Sequence, residues 1–128
     1  MAWDSGWMLG VADMDATHEE FVELLDKALA ADDAAFPALY ARLREHTIRH
    51  FEHEKRLMKS CRFPAIGEHD GEHLRVLGEL AHFGMGLSRG RLKPARAYLE
   101  SLPLWFSTHL ATMDAALAGC LKSSGMNG

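Results

Sequence analysis

The sequence predicts an all-α protein, an up-down-up-down four-helix bundle with an extended N-terminal arm. Two observations favour this fold. Apolar residues recur every three or four positions in four long segments, which is the spacing of one face of a helix. Short turns join these segments, so consecutive helices should pack antiparallel. The chain has 128 residues, enough for one core, and we expect a single domain over residues 1–128.

Composition narrows the classes of function. The formal net charge is −4 with neutral histidines, and the basic residues are scattered, which argues against a nucleic-acid surface. We find neither an apolar run long enough to span a bilayer nor a secretory signal, so we expect no membrane partner. Cys61 and Cys120 lack metal-type spacing, and we expect reduced thiols that lie apart on diagonal helices. These features are typical of a cytoplasmic protein.

The N-terminal arm is predicted to cover residues 1–14. This stretch has no helical period, and Trp3 and Trp7 are costly to leave in water, so they should pack on the bundle. Asp15 is the expected N-cap of helix 1. His18 lies seven residues before Leu25, close to the apolar stripe of that helix, and should therefore face inward.

The remaining helices follow in order. Helix 2 is expected from about Asp33 to about Cys61, and helix 3 from near Ala65 after a short turn. Helix 4 is expected from near residue 93 to about residue 122, with a kink or local break at Pro103. A frayed tail is predicted for residues 123–128.

Histidines and carboxylates at helical spacings form the candidate site. His50 and Glu54 are four residues apart, and so are His69 and His73, so each pair lies on one face of its helix. Because helices 2 and 3 should fold back on each other, the two pairs can meet. Imidazole and carboxylate groups are good ligands for iron and zinc. The spacing therefore predicts a metal site between these helices.

Helix 4 contributes a less regular pair. His109 and Asp114 are five residues apart, about 140° beyond one full turn of an α-helix, so both reach an inward point only from its flanks. A carboxylate offset in this way can bridge two metals. The inward polar candidates are His18, His50, Glu54, His69, His73, His109 and Asp114. So many buried polar groups need partners, and a metal cluster supplies them all.

Two other kinds of metal site agree less well with the sequence. Ferritin-type di-iron sites use a Glu-x-x-His pair on each of two helices, whereas this sequence has one such pair, Glu79 with His82, outside the candidate residues. His69 to His73 matches the H-x-x-E-H pattern of inverzincin proteases. That short pattern leaves the candidates on helices 1, 2 and 4 unexplained.

Four motifs together resemble the hemerythrin family, over nearly the whole chain. They are Asp15-Ala16-Thr17-His18, His50-Phe51-Glu52-His53-Glu54, Pro64 with His69 and His73, and Trp105 with His109 and Asp114. The N-terminal arm resembles the bacterial single-domain members, the bacteriohemerythrins. The resemblance implies a non-heme di-iron centre with a carboxylate-bridged and oxo- or hydroxo-bridged pair of iron ions.

The resemblance also assigns roles to residues. His69, His73 and His109 would bind one iron, and His18 and His50 the other. Glu54 and Asp114 would bridge both. Dioxygen would bind at the open position of the iron with fewer ligands. Phe51, Trp105 and Phe106 are the expected pocket walls, with the indole of Trp105 over that open position.

The implied function is reversible dioxygen binding for storage, delivery or sensing, and not enzymatic catalysis. Two alternatives stay open: a di-iron enzyme that handles peroxide or nitric oxide, and a signalling module that senses oxygen or iron. The resemblance assigns no role to His46, His53 or His82, which we expect at the surface.

Overall fold

The computed structural model describes residues 1–125. Within them, α1 spans Ala12–Ala30, α2 Phe36–Ser60 and α3 Ile66–Ser88. The fourth rod consists of α4 (Leu92–His109), a π-helical segment (Leu110–Asp114) and α5 (Ala115–Ser123). Each rod packs against the next, and α4 returns to α1, which closes the bundle. The predicted four-helix bundle is confirmed. No helix among these residues is long and apolar enough to cross a bilayer.

The junction between the arm and α1 differs from the prediction. The helix begins at Ala12, and a 3₁₀ turn at Ser5–Trp7 interrupts the arm. Asp15 is not the N-cap. Its carboxylate accepts hydrogen bonds from the backbone N–H groups of Leu9 at 2.7 Å and Gly10 at 3.1 Å. Asp15 therefore closes the turn before the helix, where Gly10 adopts a φ of +81° that favours glycine.

The other helix ends lie near their predicted positions. α2 begins three residues later than expected, because the Asp32 side chain accepts from the N–H of Ala35 at 2.8 Å and holds a turn there. Pro37 occupies the first turn of α2, where it is tolerated. The predicted frayed tail overlaps α5 at Ser123, and residues 126–128 lie outside the described range.

The irregularity of the fourth rod is not where it was expected. α4 remains α-helical through Pro103, and the chain departs from α-geometry only in the π-helical segment. That segment begins directly after His109 and ends at Asp114, so the departure falls between two candidate ligands.

Buried side chains form three layers along the bundle axis. A large apolar layer includes Phe36, Leu43 and Leu99, and a small apolar layer includes Met58 and Leu117. The buried histidines and carboxylates lie between them, because each helix carries them between its contributions to the two apolar layers. We call this middle level the metal layer. It consists of His18, His50, Glu54, His69, His73, His109 and Asp114.

The two cysteines lie together rather than apart. The Cys120 thiol donates to the backbone carbonyl of Cys61 at 3.2 Å. The prediction placed both cysteines at the same end of the bundle and separated them because helices 2 and 4 are diagonal. Cys61 is the C-cap residue of α2, where the chain turns across the end of the bundle towards α3 and passes α5.

Candidate metal centre

The structure brings all seven predicted site residues into one buried layer, and each is no more than 5% exposed. All four rods of the bundle contribute to it. Helix geometry explains the local arrangement: His50 with Glu54, and His69 with His73, are pairs one turn apart on a single helix face.

Glu54 lies at the centre of the layer and faces histidines on both sides. Its Oε2 lies 3.1 Å from His18 Nε2 and 2.7 Å from His50 Nε2. Its Oε1 lies 3.3 Å from His69 Nε2 and 3.4 Å from His73 Nε2. The two oxygens of one carboxylate therefore face two different groups of histidines.

Asp114 repeats this arrangement. Its Oδ2 lies 3.2 Å from His18 Nε2, and its Oδ1 lies 3.0 Å from His69 Nε2 and 3.2 Å from His109 Nε2. Ligand atoms of His18, His50 and Glu54 lie within 4.8 Å of one another, as do those of a second group. The second group is Glu54, His69, His73, His109 and Asp114. We call these the two-histidine half and the three-histidine half.

Several buried atoms in the layer lack hydrogen-bond partners. They include Glu54 Oε1, Asp114 Oδ1 and His69 Nε2. The Nε2 atoms of His73 and His109 lie 3.0 Å apart and face each other. An unpartnered buried polar group costs about 1–3 kcal/mol. A cation in each half would bind these lone pairs, so the donor set fits metal ions.

The electrostatics favour ionised carboxylates. Burial by itself would raise the pKa of Glu54, but attraction to His50 and hydrogen bonds from His18 and His50 hold it well below its usual range. The pKa of Asp114 is also lowered: burial and repulsion from Glu54 oppose ionisation, and the imidazoles of His109, His18 and His69, each with Nε2 within 3.2 Å of the carboxylate, outweigh them. Both side chains are therefore in the form that binds cations.

The imidazoles do not share one protonation state. Burial opposes protonation of His18, yet the nearby carboxylates of Asp114 and Glu54 raise its pKa to about 10, and the same balance raises the pKa of His69 to about 9. Burial, with the neighbouring His69 and His109, lowers the pKa of His73 to about 3 against the attraction of Glu54. Because the layer contains only two carboxylates, their negative charge cannot stabilise the protonated form of all five imidazoles at once.

The π-helical segment corrects the predicted geometry of the His109 and Asp114 pair. In a π-helix the backbone hydrogen bond joins residues five apart, so such residues lie one above the other. Asp114 Oδ1 therefore comes within 3.2 Å of His109 Nε2, on the same face of the rod. The α-helical prediction that both residues approach from the flanks is therefore wrong.

Aromatic rings cover the three-histidine half. The ring of Phe51 stacks on His73 with centroids 3.8 Å apart, and Trp105 stacks on His109 at 4.7 Å. The indole N–H of Trp105 donates to Glu72 Oε1 at 2.7 Å, which holds the ring against α3. The prediction that Trp105 covers the two-histidine half is wrong, because one turn before His109 the helix faces α3 rather than α1.

Other aromatic rings cover the two-histidine half. Phe106 lies 5.7 Å from His18, and Phe21 lies 6.4 Å from His50, between ring centroids. Phe21 and Phe106 stack on each other at 5.0 Å, and Trp7 of the arm contacts Phe106 at 5.8 Å. Sequence reasoning had placed Phe21 only in the core. Its signal was the three-residue spacing from His18 on the inward face of α1.

The histidines without an expected role differ in burial. His82 is exposed and His53 is half-buried. His46 was expected at the surface, yet it is 9% exposed, and its Nε2 lies 3.1 Å from Glu20 Oε2. One turn before His50, it lies in the seam between α1 and α2.

Known proteins resemble this chain along most of its length. The family model described as hemerythrin HHE cation binding domain matches residues 9–121. A bacteriohemerythrin from Ralstonia nicotianae is 30% identical over 96% of this chain and 90% of its own length. A myohemerythrin from Riftia pachyptila is 23% identical over 93% and 92%.

A crystal structure of a hemerythrin point mutant has the same fold. It superimposes with a TM-score of 0.84 and 18% identity, covering 94% of this chain and 96% of that one. The matched family model spans every residue of the metal layer and all four rods except the last two residues of α5. The chain belongs to the hemerythrin family.

Proposed function

We propose that this protein binds dioxygen reversibly at a non-heme di-iron centre, for oxygen storage, delivery or sensing. One observation carries the proposal: Glu54 and Asp114 each direct one carboxylate oxygen to each half of the metal layer. Carboxylates placed in this way suit two adjacent cations better than one. Membership of the hemerythrin family supports iron as the metal.

The proposed ligand set divides between the halves. His69, His73 and His109 hold one iron, His18 and His50 hold the other, and Glu54 and Asp114 bridge the pair. Neutral imidazoles keep ferrous iron accessible, and carboxylate oxygens stabilise ferric iron. When bound, the metal pair supplies the two electrons that dioxygen binding takes up. We further propose that residues 1–128 form one domain of this family.

The surroundings of the two-histidine half support its role as the oxygen pocket. This half has one histidine fewer than the other, so its metal has room for an exogenous ligand. Phe106 lies against His18 and Phe21 lies against His50, so apolar rings cover one side of this half. Phe51 and Trp105 instead hold the imidazoles of the three-histidine half in place.

We propose binding rather than catalysis as the main role. Phe21 and Phe106 against the two-histidine half are phenyl rings, which neither donate nor accept a proton, and His46 beside His50 has its Nε2 directed to Glu20. An enzyme that handles peroxide or nitric oxide would need a proton donor at that position. Assays with either substrate should show stoichiometric reaction without turnover, and sustained turnover would favour the enzymatic alternative.

The decisive experiment combines metal analysis with optical spectroscopy. Iron should be present at about two ions per chain, as the ligand count requires. The spectrum of the anaerobically reduced protein should gain a charge-transfer band in air and lose it again under argon. One zinc ion and no iron would instead revive the inverzincin interpretation.

A further inference from the structure

Three surface clefts in the described part of the chain reach a histidine of the metal layer. Two open on the three-histidine half: a 420 Å³ cleft at His109 and a 250 Å³ cleft at His69. Their linings include large apolar side chains such as Trp105 and Met113. The third, of 180 Å³, lies between α1 and α2 and reaches His50 of the two-histidine half.

The α1–α2 cleft differs in its chemistry. Its lining residues are Thr17, Glu20, His46, Arg49, His50 and His53. Among the three clefts, this one alone carries histidines from outside the metal layer. Imidazole and carboxylate groups bind divalent first-row metals, so the lining suits a cation.

Glu20 and His46 form the best ligand pair in this cleft. His46 Nε2 lies 3.1 Å from Glu20 Oε2, close enough for both atoms to contact one ion. The Glu20 side chain is 63% exposed and reachable from solvent, whereas His46 is buried. His46 Nδ1 has no hydrogen-bond partner. One member of the pair is therefore accessible to solvent, and the other lies inside the bundle.

The position of the pair relates it to the metal layer. His46 precedes His50 by one turn of α2, and their ring centroids are 6.0 Å apart. His50 Nε2 in turn contacts Glu54. An ion bound at Glu20 and His46 thus lies one helical turn from a side chain of the two-histidine half.

Arg49 is the one cationic side chain in the lining. Its guanidinium donates to Glu45 Oε1 at 3.2 Å, one turn back on α2. The neighbouring carboxylate offsets much of its charge, so Arg49 does not prevent a cation from entering.

We propose that Glu20 and His46 form an outer binding site for ferrous ion, from which the two-histidine half is filled and emptied. The choice of iron as the ion rests on the proposed function. The outer site itself depends only on the two side chains and accepts other divalent first-row metals.

The first test measures the outer site in iron-loaded, diferric protein titrated with Zn²⁺ by calorimetry. We expect one Zn²⁺ beyond the two irons, with elemental analysis showing that iron is retained. Since losing even an outer-shell partner costs about 10–100-fold in metal affinity, Glu20→Gln and His46→Gln should each weaken binding at least about tenfold. Glu19→Gln is the matched control, because Glu19 is exposed, adjacent to Glu20 and outside the cleft lining.

Absence of the extra Zn²⁺, or its full retention in Glu20→Gln, would overturn the outer site. Glu20→Gln is the safer variant, since this exposed side chain contributes little to the core. Iron content and circular dichroism verify that His46→Gln is folded.

The second test measures the route. Ferrous iron is removed from reduced protein by an excess of a bidentate chelator, and the release rate is followed optically. Release should slow in Glu20→Gln and His46→Gln and stay unchanged in Glu19→Gln. Equal rates in Glu20→Gln and Glu19→Gln would overturn the route. A protein without iron or a reversible oxygen band would instead contradict the proposed function, while the difference in Zn²⁺ binding between Glu20→Gln and Glu19→Gln still decides the outer site.

Discussion

In the large apolar layer, Leu43 and Leu99 are each 0% exposed and belong to one cluster of buried apolar side chains. In the metal layer, Glu54 and Asp114 are each 1% exposed, yet each keeps a carboxylate oxygen without a hydrogen bond. The two layers are buried to the same extent on the same helices.

The two layers differ in whether the chain itself supplies every partner that the buried side chains need. Apolar side chains are stabilised by leaving water, so the large apolar layer needs nothing beyond the chain. Imidazoles and carboxylates lose hydration on burial, and only a charged or hydrogen-bonding partner offsets the free-energy cost of that loss. The bundle thus has one level of apolar side chains and one level of buried polar groups whose missing partners a bound cation would supply. Four experiments test this contrast.

The largest effect is expected in the metal layer, from Glu54→Ala. Five imidazoles would lose the carboxylate between them, and removing one partner of a buried ionic group typically costs about 3–5 kcal/mol. Iron should be lost, and thermal unfolding should occur at lower temperature. Glu52→Ala, two residues away and exposed, is the control. Equal iron loss in both variants would show that Glu54 does not serve both halves.

A large effect of a different kind is expected from Leu99→Ala in the apolar layer. The cavity should lower the free energy of unfolding by about 2–5 kcal/mol. Iron content should stay at the parent level, because Leu99 lies outside the metal layer. Denaturant unfolding and elemental analysis measure the two quantities on one sample. Iron loss in proportion to the lost stability would show that the layers are not independent.

A smaller pair of substitutions compares the two halves of the metal layer. Phe106→Leu and Trp105→Phe keep an apolar side chain, and each should destabilise the fold by about 0.5–3 kcal/mol. Phe106 contacts His18, so Phe106→Leu should shorten the lifetime of the oxygenated spectrum at matched iron content. Trp105→Phe alters the three-histidine half and should leave that lifetime unchanged. The opposite ranking would move the oxygen pocket to the three-histidine half.

The smallest effect is expected from Tyr40→Phe in the large apolar layer. The hydroxyl donates to the carbonyl of Leu80 at 2.6 Å, and losing this bond should cost about 1 kcal/mol. Burial, opposed by Arg44, raises the pKa of Tyr40 to about 12.

The same substitution has a pH signature. Because the folded pKa lies above the unfolded value of about 10, the contribution of Tyr40 is complete below pH ~10 and is lost as the pH rises towards 12. Urea unfolding at neutral and alkaline pH should therefore show a steeper alkaline loss in the parent than in Tyr40→Phe. Identical pH slopes would show that the hydroxyl titrates normally.

The sequence by itself determined which side chains could share a layer. Spacings of four residues within a helix, as in His50 with Glu54, follow from helix geometry and hold in any bundle. Helix number and order followed from apolar periodicity and short turns for the same local reason. This local information was sufficient to select all seven residues of the metal layer.

Only the tertiary structure decided how that layer is arranged. The π-helical segment between His109 and Asp114 turns both side chains inward, where Asp114 contacts His18 and His69. Which half Trp105 covers depended on the helix opposite it, through the hydrogen bond to Glu72. The burial of His46 depended on Glu20 of α1. Each of these outcomes depends on a contact between residues far apart in the chain, which the periodicity of a single helix does not encode.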